Sequence, residues 1–167
     1  MICSKGLIPK SGPINFTKWL DGQKESGSRG KLYMIGELYA KFIRTKVVPA
    51  IRNVVGDLDN IFFQDDQDTK HRTQVAIDAV NEFFLQRISP EDCDAKLADC
   101  WPIERVWGIL KEKLRGKTFQ NQTALVRCIN KEWNEISAEL CKNMMNKIPD
   151  SLLKVIENEG EQIFYQK

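Results

Sequence analysis

No stretch of this chain approaches the ~18 consecutive apolar residues that a membrane-crossing helix needs. Its opening, Met1-Ile2-Cys3-Ser4-Lys5-Gly6, also lacks the longer apolar core of a signal peptide. Both absences point to the cytosol or the nucleus. The five cysteines, Cys3, Cys93, Cys100, Cys128 and Cys141, are odd in number and include no Cys-x-x-Cys pair. That argues against a disulfide framework and against a zinc site, and for free thiols that are buried or half-buried. Charge of one sign is lacking too: the net charge is only +2, so no strong field draws the whole protein to nucleic acid, and any such contact has to be local. Histidine occurs once, as His71, and there is no internal repeat or heptad array.

What is present is an ordinary globular composition, with 42% hydrophobic and 29% charged residues in 167, which fits one domain spanning residues 1–167 with a real core. The opening carries two short apolar pieces, Met1–Cys3 and Pro13–Phe16, and reads as a strand pair. Residues 22–30 are polar and glycine-rich and read as a flexible surface loop. From Ile35 to Val54 the apolar positions follow helical spacing, with Pro49 as a kink or break and Gly56-Asp57 as the stop. Ile61-Phe62-Phe63 is a continuous apolar run, as expected of a strand buried on both faces. Thr73–Phe84 reads as a helix with Ala76, Val80, Phe83 and Phe84 on one face, and Ile88–Asp99 as irregular and acidic. The clearest helix starts at Pro102, carries the stripe Ile103, Val106, Trp107, Leu110 and Leu114, and stops at Gly116. Three more helices follow, over Gln122–Ile136, Ala138–Lys147 and Ser151–Glu159, with Asn121, Ser137 and Asp150 as caps and Gly160 as terminator.

Two blocks carry chemistry. The apolar run leads into Gln64-Asp65-Asp66-Gln67-Asp68-Thr69-Lys70-His71, and Asp99-Cys100-Trp101-Pro102-Ile103-Glu104-Arg105-Val106-Trp107-Gly108 follows later. A carboxylate at the end of a strand and a second one on the first turn of a helix are the kind of pair that can share divalent metal, which suits phosphodiester chemistry. Strand alternation puts Gln64 and Asp66 on one side and Phe63 and Asp65 on the other, and does not by itself choose between the two aspartates. Glu104 lies where free backbone N–H groups and the positive end of the helix dipole favour a negative charge. The plainer alternatives are a solvated turn after a strand, for Asp65, Asp66 and Asp68, and a first-turn acid that only complements the dipole, for Glu104.

The wording of both blocks resembles the catalytic domain of mariner-superfamily DDE transposases. Phe63, Gln64, Asp66 and His71 match the family's Phe-Gln-x-Asp-x-x-x-x-His. Asp99, Pro102, Ile103, Glu104, Trp107, Gly108 and Lys111 match its Pro-Asp-x-x-Pro-Ile-Glu-x-x-Trp-Gly-x-x-Lys, with Ala98 in place of the usual proline. The likeness extends more loosely through Lys131-Glu132-Trp133 and Ile148-Pro149, covers roughly Ile61 to Tyr165, and is weak before that.

The resemblance implies an α/β, ribonuclease-H-like fold: a short mixed sheet with helices and a helical C-terminal third. It also implies metal-dependent DNA strand cleavage and transfer with Mg²⁺ or Mn²⁺, DNA as partner, a homodimer, and the nucleus as location. It chooses Asp66 as the second acid and Glu104 as the third, both as catalytic residues and metal ligands, with His71 as an auxiliary that orients a phosphate or a metal-bound water. The family's first acid lies on an opening central strand upstream of the matched region. The expectation is therefore a truncated, weakly active or inactive form that lacks that strand, with Asp21 as the nearest substitute acid. The rival expectation is a non-catalytic, host-retained module that binds DNA or protein. For local DNA contact the densest basic stretch is Lys111, Lys113, Arg115 and Lys117, whose alternative role is a solvated helix end; Arg44-Thr45-Lys46 is a second, weaker one.

Overall fold

Glycine at position 6, with φ +124°, lets the chain reverse within its first residues. Strand β1 (Ile2–Cys3) thereby pairs antiparallel with β2 (Gly6–Leu7), Ile2 opposite Leu7 and Cys3 opposite Gly6. The expected strand pair is there, but its second member is not Pro13–Phe16. Asn15 instead caps a short helix, α1 (Phe16–Asp21), by accepting the Lys18 backbone N–H. The computed structural model describes residues 1–25, 30–92, 97 and 100–161. The chain divides into two compact units, one formed by Met1–Pro13 with Asp94–Lys167 and the other by Ile14–Cys93.

The first unit is built on β1, β2 and four helices: α5 (Pro102–Leu114), α6 (Gln122–Asn134), α7 (Ala138–Asn146) and α8 (Ile148–Glu157). Their apolar stripes meet in a cluster of Leu7, Val106, Leu110, Trp133, Cys141 and Met144, with Ile2, Ile103 and Trp107 packed against it. Trp133, almost fully buried, donates its indole N–H to the Pro9 carbonyl at 2.8 Å, as a buried indole requires. A smaller cluster joins Cys100 and Val155 to Leu97, Trp101 and Leu152. Asn121 and Ser137 cap α6 and α7 with side-chain oxygens, as their positions suggest. Asp150 does not cap α8. Pro149, pre-set for a first helical turn, starts that helix earlier, and Asp150 lies inside its first turn. Gly160, at φ +90°, closes the helix by donating to the Val155 carbonyl at 2.8 Å.

In the second unit, α2 (Gly36–Phe42) runs through one π-helical turn (Ile43–Val47) into α3 (Val48–Val55). Pro49 has no N–H for the Thr45 carbonyl, and the wide turn is how the helix passes that gap. Strand β3 (Phe62–Gln64) pairs in parallel with β4 (Gln86–Ile88), the crossover between them containing α4 (Gln74–Asn81). Helix α2 packs along α4, and Phe63 stacks on Phe84 with ring centroids 4.7 Å apart. The sequence led to a strand buried on both faces. Phe63 is buried but Phe62 is 70% exposed, because among the described residues this sheet has only two strands. β4 falls between the expected helix and the stretch from Ile88 read as irregular, where the sequence suggested no strand.

Among the described residues the secondary structure is thus mostly helical, with two two-stranded sheets. No helix of these residues is long and apolar enough to cross a membrane. Cys100 and Cys141 are buried free thiols, Cys3 and Cys128 half-buried ones, while Cys93 lies outside the described residues.

Candidate functional site

The chain leaves β3 with two consecutive aspartates pointing opposite ways, as the pleat requires. Asp65 shares the inward side with Phe63. Its side chain is 7% exposed and faces Arg87, 8% exposed, whose Nη2 lies 3.1 and 3.2 Å from the two carboxylate oxygens. The Tyr39 hydroxyl donates to Asp65 Oδ2 at 2.9 Å. Burial above all, and then the Asp65 charge and this hydrogen bond, push the Tyr39 hydroxyl far above its ordinary range, so it stays a donor. Arg87 Nε is buried with no hydrogen-bond partner among the described residues.

Asp66 takes the outward side. Its side chain is 78% exposed and sits just past the carboxyl end of β3, the end of a parallel strand where ligands generally gather. Oδ1 accepts the Asp68 backbone N–H at 3.0 Å and lies 2.8 Å from His71 Nδ1. The following turn is held by His71 N–H on the Asp68 carbonyl at 2.9 Å, and by Asp68, whose carboxylate takes the Lys70 backbone N–H and the Lys70 ammonium. Those bonds to Lys70 hold the Asp68 carboxyl below the ordinary carboxylate range. His71 stacks on Tyr39 at 4.0 Å between ring centroids.

Glu104 is exposed in the first turn of α5, in the unit that does not contain Asp66. Asp99 and Ala98, from the same block, lie outside the described residues, as do residues 26–29 of the 22–30 loop. Asp21 ends α1 and is bound by Lys24 at 2.8 Å. Among the described residues no three His, Cys, Asp or Glu side chains gather where they could hold a metal ion. Asp66 and His71 supply two such groups at one point.

Of the basic stretch, Lys117 lies 3.0 Å and Lys113 3.8 Å from the buried carboxylate of Glu132, and Arg115 2.7 Å from Glu112. Lys111 alone of the four makes no ion pair among the described residues. The Lys117 hydrogen bond holds the Glu132 carboxyl below its ordinary range, and Glu132 in turn raises Lys117.

Tyr39 and Arg87 are members of this arrangement that the sequence reading did not select. Tyr39 is one of the apolar positions that follow helical spacing between Ile35 and Val54. Its hydroxyl was the signal, since a buried phenol seeks a partner.

No family model matches the chain. Over 105 residues, 62% of its length, it is 30% identical to the Transposable element Tc3 transposase of Caenorhabditis elegans. The match supports a relationship to Tc1/mariner-type transposases. The chain spans about a third of the length of that relative, the matched stretch covering 31% of it.

Proposed function

We propose that this chain is a portion of a DNA transposase of the DDE type, ribonuclease-H-like in fold, in which Asp66 and Glu104 are two of the acids of the DNA-cleaving centre. DNA is then the substrate and partner, and the nucleus the place of work. The observation that carries this reading is the division of labour between adjacent aspartates. Asp65 is tied inward by Arg87 and Tyr39, while Asp66, the one that fits the motif, stands exposed at the strand end with Oδ2 uncommitted to any hydrogen bond among the described residues.

Mg²⁺ or Mn²⁺ would be the ion of such a centre. The described residues do not fit a pair of such ions as they stand, since no three donors converge and such pairs usually rest on more carboxylates than one. A single Mg²⁺ held mainly by water and substrate oxygens asks for only one or two. Cleavage by the chain alone is accordingly weak or absent. A second reading is a transposase-derived module that holds DNA or a protein partner without metal chemistry.

A Mn²⁺-dependent nicking assay on supercoiled plasmid separates the two, comparing the chain with its Asp66→Asn/Glu104→Gln variant. Nicking by the parent and not by the variant supports the catalytic reading. No nicking by either, from protein shown to be folded, together with DNA binding unchanged by the two substitutions, supports the binding module.

A further inference from the structure

We infer that Tyr39 is a positioning residue that, with the Asp65–Arg87 pair behind it, holds His71 as its Nδ1–H tautomer against Asp66 and leaves Nε2, on the other edge of the ring, as an acceptor. The argument starts at the ring. His71 Nδ1 is surrounded by oxygens of one residue, Asp66 Oδ1 at 2.8 Å and the Asp66 main-chain carbonyl at 3.4 Å. A ring nitrogen facing two acceptors has to carry the proton, and in the neutral ring the lone pair is then on Nε2. Free imidazole side chains favour the opposite tautomer, so the preference is imposed by the surroundings.

What keeps the ring in place is a chain of contacts within one unit. Arg87 fixes Asp65, Asp65 takes the Tyr39 hydroxyl, and the Tyr39 ring lies 27° from parallel against the imidazole. The Asp66 to His71 spacing follows from the turn between them, which is closed by Asp68 N–H on Asp66 Oδ1 and His71 N–H on the Asp68 carbonyl. The exposed carboxylate is therefore oriented from the buried side of the unit through the Nδ1 edge of the imidazole, and Nε2 is left as the ring's acceptor. In the reading proposed above, on which this use rests, a water or hydroxyl beside a DNA phosphate can donate to Nε2 and be oriented there.

Because His71 is the chain's sole histidine, its imidazole signals in ¹H–¹⁵N NMR need no assignment by elimination. At a pH where the ring is neutral, the full chain should show Nδ1 protonated and Nε2 bare, with the ring's carbon-bound protons displaced upfield by the Tyr39 ring. Tyr39→Phe, which keeps the ring but loses the hydrogen bond to Asp65, reduces the upfield displacement and moves the tautomer ratio part of the way toward Nε2–H. Tyr39→Leu abolishes the upfield displacement and moves the tautomer ratio toward Nε2–H. Asp66→Ala, which removes the acceptor facing Nδ1 together with the Asp68 N–H bond that closes the turn, moves the ratio the same way. A parent already in the Nε2–H form, or a ratio that neither Tyr39→Leu nor Asp66→Ala shifts, overturns the inference. None of these readouts uses DNA cleavage, so a chain that nicks nothing can still confirm it, and a chain that nicks well can still refute it.

Discussion

Arg87 sets one guanidinium nitrogen 3.1 Å from one oxygen of Asp65 and 3.2 Å from the other, and this contact settles which of two neighbouring aspartates turns inward. Both side chains are buried, so each charge depends on the other. Removing one partner strands the other, and such losses run to about 3–5 kcal/mol. Arg87→Ala should therefore lower stability in urea unfolding by about that much. Adding Asp65→Asn, which removes the stranded charge yet leaves an acceptor for Tyr39, should recover at least half of the loss. A double variant no more stable than Arg87→Ala would show that the pair is not what the single change disrupts.

The same contact marks how far the sequence could be read. Opposite orientation of Asp65 and Asp66 follows from the pleat and was legible, but which one faces outward was open on that ground. Only the motif resemblance chose Asp66, and the structure supplies the reason in two residues distant in sequence. Helix ends were legible where a local bond sets them, as at Asn121, Ser137 and Gly160. Position 150 was misread because two local signals competed, and the proline at 149 prevailed over the aspartate. Phe62 was misread because an apolar run says that a strand is there and not how many neighbours it has. Strand β4 was missed because three residues reading Gln-Arg-Ile carry no alternation long enough to recognise. Nothing local shows that its arginine meets Asp65.

Helix α2 begins against Thr73, the residue before α4. A Cβ at Gly36 would collide with the Thr73 hydroxyl and crowd its Cβ. Gly36→Ala should therefore destabilise by about 1–3 kcal/mol, the usual cost of overpacking. Gly30 is the control: among the described residues, its chain neighbours aside, no atom lies within 4 Å of the Cβ it would gain, so Gly30→Ala should be neutral or slightly stabilising. Thermal melts of the two variants test the contrast, and equal melting temperatures would refute the close approach of α2 to Thr73.

Glu132 and Lys117 give the first unit a stability window in pH. Glu132 is held below the ordinary carboxylate value by Lys117, so it binds its proton more weakly when folded than when unfolded. Its contribution is complete above the unfolded value, about 4.3, and is lost as pH falls through the lower folded value. Lys117 is raised by the same bond. Its contribution is complete below its unfolded value, about 10.4, and fades as pH rises through the higher folded one. Melting temperature plotted against pH should thus fall less steeply below about pH 4.3 in Glu132→Gln than in the parent, and less steeply in the alkaline limb for Lys117→Met. Parallel acid limbs in parent and Glu132→Gln would sink the assignment.

Glu132 also determines which of the basic residues keep an ammonium free for a phosphate. Lys113 lies near both Glu132 and Glu135, Lys117 is bonded to Glu132, and Arg115 lies against Glu112. A cation already paired inside the protein gives up less to a phosphate than one that meets only water, because the intramolecular contact has to loosen first. Lys111 is the one of the four without such a pair among the described residues. If the chain binds DNA through α5, Lys111→Ala should weaken binding across all sequences and reduce the slope of log affinity against log salt by about one. Lys113→Ala and Lys117→Ala should change it less. Glu132→Gln should act in the opposite sense, freeing the Lys117 ammonium while Lys113 keeps Glu135, and steepening the slope. Fluorescence anisotropy over a salt series measures all four variants. Equal slopes for Lys111→Ala and the parent would place the DNA contact elsewhere on the chain, with Arg44 and Lys46 the next stretch to test.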